Sequence, residues 1–125
     1  MLLATAATLT ATGTAKVYVL LCENECYYVG FSQNVKRRIN QHFEGCGAYF
    51  TKINKPLSVV EIIDAIDESD EFWHWTKYAK KYGPKKVGGY SPWMCAEKGF
   101  VWPFNDNRYH MALRSVKGRK VNLFK

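Results

Sequence analysis

The alternation of apolar and polar positions divides the chain into short strands and two amphipathic helices. Val17 to Leu21 is a β-favouring run, Cys22 to Cys26 is a polar turn, and Tyr27 to Phe31 is a second β run, so the simplest prediction is a hairpin. Ser32 or Asn34 can then cap a helix near 34–44 whose apolar stripe is Val35, Ile39 and Phe43, spaced as a one-sided helix requires. Leu57 to Ile66, rich in β-branched residues, reads as a third strand. The acidic stretch Asp67 to Glu71 leads into a second helix, near 69–82, in which Phe72, Trp75, Thr76 and Ala79 are spaced to face a core. The pattern predicts an α/β fold: a small central antiparallel three-stranded sheet from residues 16–21, 27–31 and 57–66, flanked by the two helices.

After Gly88 and Gly89 the character changes. Tyr90, Trp93, Phe100, Trp102, Phe104 and Tyr109 form a run of aromatics that requires burial or a partner. Asn105 or Asp106 can cap a short helix through Ser115, with Gly118 ending it. A basic, partly β-like tail follows, in which Arg114, Lys117, Arg119, Lys120 and Lys125 interleave with Val121, Leu123 and Phe124. Basic residues among aromatics suit single-stranded nucleic acid or a packing surface in an assembly. Residues 1–15 carry no charged side chain and lack the basic start of a signal peptide, so an extended arm is expected. The expected organisation is an arm (1–15), a domain (16–90) and an aromatic and basic extension (91–125). The arm and the extension are the segments available for docking to other proteins.

Composition fits one compact module: 125 residues, 47% of them hydrophobic, are enough to bury a core. The net charge of +7 is uneven, because six of the eleven acids lie between Glu61 and Glu71 while twelve of the eighteen basic residues follow Trp73. Such a surface attracts nucleic acid without sequence preference, although it serves solubility equally well. Cys22 and Cys26 have no matching second pair beside Cys46 and Cys95, which is poor zinc spacing. Free thiols are expected, in an intracellular reducing compartment or inside a virus particle rather than in a secreted protein. No apolar run is long enough to span a membrane.

One constellation carries chemistry. Tyr18 and Tyr28 lie on adjacent strands of the predicted hairpin, and they share a face only if the register allows it, since a slip of one residue inverts a strand. Arg38 and His42, four apart, stack on the flank of the first helix, from where both can reach a phosphate at the sheet rim. Each residue also has a bland reading: a half-buried tyrosine, a solvated basic face at Lys36-Arg37-Arg38, a histidine near a helix end. Their joint spacing favours phosphate.

The segment resembles the GIY-YIG nuclease superfamily. Lys16-Val17-Tyr18 stands where the first motif would be, Tyr28-Val29-Gly30 where the second would be, and Arg38 and His42 follow at the family's distances. The resemblance continues through Tyr49, Thr51 and Pro56 to the run from Thr76 to Tyr90, which is similar to viral and phage-like members, and it covers about residues 16–90. It implies a magnesium-dependent endonuclease acting on DNA. By that resemblance Tyr18 would help deprotonate the attacking water, Tyr28 would orient that water or a phosphate oxygen, and Arg38 would hold the scissile phosphate. His42 would add a donor or shuttle a proton, and Glu71 would hold one Mg2+ ion acting as a Lewis acid. Glu68 is the spare carboxylate, while the count used in better-known branches lands on Trp75, which cannot bind magnesium. Lys16 replaces a motif glycine, and its charge would favour tyrosinate at Tyr18. Lys16, Lys36, Arg37, Lys52 and Lys77 are the basic side chains expected on the nucleic acid. The alternative is a nuclease-fold protein that does not cut and serves as a structural or nucleic-acid-binding component of an assembly such as a virus particle.

Overall fold

The structure, a computed structural model, describes residues 14–118. The expected arm up to residue 13, and the β-like tail from Arg119, lie outside the described residues. The chain divides into two compact units after Gly89.

In the first unit β1 (Lys16–Cys22) and β2 (Cys26–Ser32) form the antiparallel hairpin, with Tyr18 opposite Gly30, Leu20 opposite Tyr28 and Cys22 opposite Cys26. This register puts every even-numbered residue on one face, so Tyr18 and Tyr28 are diagonal neighbours there. β3 (Pro56–Asp64) pairs antiparallel with β1, and β4 (Val87–Gly88) pairs parallel with β2 at Tyr27 and Tyr28. The sheet therefore has four strands, in the order β3-β1-β2-β4, rather than three. Two residues are too few for β4 to announce itself by any period.

β3 begins one residue before the predicted 57–66 run and ends two before it. Ile66 leaves the strand because its amide donates to Asp70 Oδ2 at 2.7 Å, which commits it to the entry of the next helix. On the outer edge of the sheet β3 carries Leu57, Val59, Val60 and Ile62, between 42% and 58% exposed.

Helix α1 (Val35–Phe43) starts where Asn34 accepts from the amide of Arg37, while Ser32 Oγ accepts from the amide of Asn34. Its buried face is Val35, Ile39 and His42 rather than Val35, Ile39 and Phe43. Steps of four residues drift by about 40° on a helix of 3.6 residues per turn, and by Phe43 the drift has carried the side chain to 45% exposure. A five-residue helix, α2 (Tyr49–Ile53), follows and had no periodic signal. α3 (Glu68–Tyr82) opens with a capping box between Asp67 and Asp70, and it buries Phe72, Trp75, Thr76 and Ala79 as their spacing predicts.

The two sheet faces have different covers. Tyr18, Leu20, Cys22, Cys26 and Tyr28 pack with Ile39, Val35, Ala48 and Phe50, so α1 and the α2 region close the even face. α3 closes the other, where Tyr27 meets Tyr78 and Tyr82 and the Trp75 indole donates to the carbonyl of Val87 at 3.1 Å. Cys22 and Cys26 are buried free thiols, and Cys22 is pushed up to about 12 by burial.

Two of the glycines crowded by side chains lie against Tyr18 and His42. A Cβ on Gly30 would sit 2.3 Å from Cζ of Tyr18, and one on Gly47 would sit 2.3 Å from Nδ1 of His42. Their bare backbones leave the space that these two buried rings occupy.

In the second unit α4 (Pro92–Lys98) is capped by Ser91, and Gly99 ends it in the left-handed conformation. α5 (Asn107–Gly118) is entered through Asp106, which accepts from the amide of Arg108 at 2.8 Å. Ala96, Ala112 and Val116 form its core with Tyr109 and Leu113 against them. Tyr90 and Trp102 are buried, Tyr90 against Phe100 and Trp102 against Phe104, so these rings are used for packing.

Gly30→Ala should cost about 1–3 kcal/mol of unfolding free energy, the usual range for overpacking a core. A lowered urea midpoint with an unchanged slope checks this, and an unchanged midpoint would mean that Tyr18 does not occupy the space above Gly30.

Candidate active site

A chain of three hydrogen bonds runs through the even face of the sheet. The Tyr18 hydroxyl lies 2.7 Å from Nε2 of His42, and Nδ1 of His42 lies 2.9 Å from Oγ1 of Thr51. Thr51 Oγ1 donates to the carbonyl of Ala48 at 2.9 Å. With its one proton given to Ala48, the Thr51 hydroxyl accepts from His42. His42 is therefore the Nδ1–H tautomer, its Nε2 is an acceptor, and Tyr18 is the donor to it.

Tyr18, His42 and Thr51 are each no more than 1% exposed. Burial has opposite effects on the two titrating members. It pushes the Tyr18 phenol well above its ordinary range, with Tyr28 and Glu71 adding to the rise and Arg38 opposing it. It draws His42 down from 6.5 to about 4, with the Arg38 charge adding to the effect. The pair is neutral on both sides at ordinary pH. The expectation that Lys16 would favour tyrosinate is therefore corrected: Lys16 is ion-paired with Asp64 on β3, and burial governs the phenol.

Around this buried pair the structure gathers the rest of the predicted set. The Tyr28 ring lies 6.3 Å from that of Tyr18 and 4.8 Å from that of His42. Arg38 is half-buried, donates to Gln41 Oε1 at 3.1 Å, and lies near enough to both phenols for its charge to pull down the ionisation of each. From the start of α3, Glu71 raises both, and for Tyr28 its charge is the largest influence after burial. In the same acidic stretch Asp67 and Asp70 are occupied by the capping box. Glu68 lines a separate rim cleft with Phe31, Gln33, Ile66, Asp67 and Ser69. Trp75, the alternative position, is fully buried and bonded to Val87.

Two expectations change. His42 cannot reach a phosphate at the rim, because both its nitrogens are engaged and its surface is closed, so of its two expected roles only the proton shuttle is compatible with this geometry. Thr51 stands out in the sequence only through the resemblance, whereas in the structure it bonds the imidazole from nine residues away. The remaining basic candidates Lys36 and Arg37 on α1, Lys52 on α2 and Lys77 on α3 are exposed.

Among the described residues no group of three or more His, Cys, Asp and Glu side chains is placed to hold a metal ion. A single carboxylate beside a phosphate site suits a cation that keeps most of its water and is completed by substrate oxygens, as magnesium is. It does not suit a caged ion such as structural zinc.

Comparison with known proteins agrees with this geometry. The family model described as the GIY-YIG catalytic domain matches residues 15–87. A UPF0213 protein of Xanthomonas campestris is 43% identical over 44 residues, covering 35% of this chain and 43% of its own. A UPF0213 protein of Neisseria meningitidis is 36% identical over 52 residues, 42% of this chain and 57% of its own. One of Clostridium perfringens is 41% identical over 44 residues, 35% and 47% of the two chains. The chain thus spans about half the length of the curated relatives it matches. No solved structure matches it significantly.

The neutral buried His42 makes stability depend on pH. Its ionisation is lower folded than unfolded, so below about 6.5 the unfolded chain binds a proton that the folded one refuses, and stability falls until about pH 4. The loss should reach roughly 3 kcal/mol at most. The melting temperature followed from pH 7 to 4 should decline in the native chain and flatten in His42→Gln. Thr51→Val should cost about 1–3 kcal/mol by leaving Nδ1–H unpaired, and Thr51→Ser should restore most of it.

Proposed function

The chain belongs to the GIY-YIG family, and from that premise we propose that it is an endonuclease hydrolysing DNA phosphodiester bonds with one magnesium ion held at Glu71. The observation that carries this reading is the convergence of one cation and one carboxylate on the same two phenols: Arg38 and Glu71 act on both Tyr18 and Tyr28. Packing alone gives no reason for opposite charges to lie within electrostatic reach of one tyrosine pair.

The chain's own residues divide the work. Arg38 grips a non-bridging oxygen of the scissile phosphate through its fork of donors and carries the charge that builds there. Tyr28 orients the attacking water. Productive binding requires the Tyr18 hydroxyl, buried in this structure, to open to the attacking water; as the water oxygen bonds to phosphorus and the bond to the departing sugar oxygen breaks, the water proton then passes to the Tyr18 oxygen and the Tyr18 proton passes to Nε2 of His42. The proton later leaves His42 through Tyr18 to solvent, and the departing oxygen takes a proton from water. Thr51 keeps His42 in the only tautomer that can accept it. When bound, magnesium supplies Lewis acidity to the phosphate and its leaving oxygen. A low histidine pKa delays the transfer until negative charge develops at phosphorus, which ties it to the transition state.

The non-cutting alternative is favoured by one observation: Tyr18 is 1% exposed and His42 fully buried, as packing residues would be. In that reading the fold binds nucleic acid without cleaving it. A viral branch or a place in a virus particle draws no support from the relatives, which are bacterial.

Supercoiled plasmid incubated with the protein and magnesium should be nicked, and chelation should stop it. Arg38→Ala or Glu71→Ala should slow nicking by about a hundredfold or more, and Tyr18→Phe by roughly 10²–10⁴-fold. Folded protein that nicks nothing between pH 6 and 10 would leave the non-cutting reading in its place.

A further inference from the structure

The opposite face of the sheet carries a second cluster of phenols that the catalytic reading does not use. Tyr27 of β2 stacks on Tyr82 of α3, with ring centroids 4.3 Å apart and planes 23° from parallel. Tyr78, one turn earlier on α3, lies 5.6 Å from Tyr27 and 6.1 Å from Tyr82. The three rings line a cleft of about 290 Å³ together with Val60, Lys77 and Lys81. Lys81 Nζ sits 5.2 Å from the centre of the Tyr82 ring and Lys77 Nζ 6.0 Å from that of Tyr78.

We propose that this cleft is a stacking site for the unpaired bases of a single DNA strand, with Lys77 and Lys81 on its phosphates. The inference deepens the nuclease reading above by naming the substrate as DNA with a single-stranded segment next to the cut.

Three features choose this ligand. The rings are partly open, Tyr82 being 37% exposed, and Tyr78 is held in place by its hydroxyl bond to Glu61. Rigid aromatic faces accept any base, because every base has a π face, whereas a duplex keeps those faces covered. The rim is cationic: Lys77, Lys80 and Lys81 are exposed on α3, with Lys85 and Lys86 exposed just after it. Of the acids nearby, Glu61 accepts from Tyr78 and Glu25 lies beside Tyr27, so two carboxylates stand against the five lysines. Flat apolar surfaces ringed by cations fit a ligand with flat apolar rings and a polyanionic backbone.

Position on the helix connects the cleft to the candidate active site. Glu71 and Tyr78 are seven residues apart, two turns along one side of α3, which is about 10 Å, and Tyr82 is about 6 Å beyond.

Fluorescence anisotropy of the full chain without divalent metal tests this with a labelled oligo(dT) and a blunt duplex of equal length. The native protein should bind the single strand at least about fivefold more tightly than the duplex. Tyr82→Ala should weaken strand binding by roughly 5–150-fold while moving the duplex less than about twofold. Tyr82→Trp should restore it, and Lys81→Gln should lower the slope of log Kd against log salt by about 0.7. Unchanged strand affinity in Tyr82→Ala, or equal loss for strand and duplex, overturns the proposal. Nicking is scored separately: if Arg38→Ala abolishes it while Tyr82→Ala leaves strand affinity unmoved, the nuclease reading stands and this site falls. If Tyr82→Ala weakens strand binding in a protein that nicks nothing, the site stands without the nuclease.

Discussion

The hydrogen bond from the Tyr18 phenol to Nε2 of His42, closed off from water, sets the terms for the rest of the first unit. In a dry setting neither partner can be lost cheaply, because an orphaned polar group in low dielectric costs more than the bond itself contributes. The neighbours follow from protecting it. Gly30 and Gly47 are bare so that the two rings fit. Thr51 is turned towards the imidazole with its own proton committed elsewhere, and Ala48 receives that proton. Arg38 stands at the half-open side, where its charge touches both phenols and helps to hold His42 neutral.

From that constraint the sheet divides its labour between its faces. The even residues of the hairpin, under α1 and α2, hold the tyrosine and histidine set; the odd residues, under α3, hold the Tyr27, Tyr78 and Tyr82 cluster. α3 serves both sides from its two ends. Its acidic start brings Glu71 to the first set, and its lysine-rich end brings Lys77 and Lys81 to the second. This placement of acids early and bases late also follows the helix dipole, so stability and chemistry ask for the same charges.

Much of this is legible in the sequence. Two β runs around a polar turn gave the hairpin, Asn34 gave the start of α1, and the spacing of Phe72, Trp75, Thr76 and Ala79 gave the buried side of α3, because long periodic segments carry strong signals. The tyrosines' shared face was not legible, since it depends on one residue of register. Nor was the burial of His42 in place of Phe43, which arises from the drift of a four-residue step on a 3.6-residue helix. α2 and β4 were too short to show a period. The link from Thr51 to His42 was hidden because a non-local hydrogen bond leaves no local pattern, and the exposure of β3 was hidden because its composition is that of a buried strand.

The central claim is that His42 waits as a neutral Nδ1–H imidazole with its Nε2 turned to Tyr18. Heteronuclear NMR of the imidazole nitrogens at neutral pH tests it most directly. The account predicts a protonated Nδ1, an unprotonated Nε2, and no charging until the pH approaches about 4. A proton on Nε2, or titration near the ordinary 6.5, would contradict it.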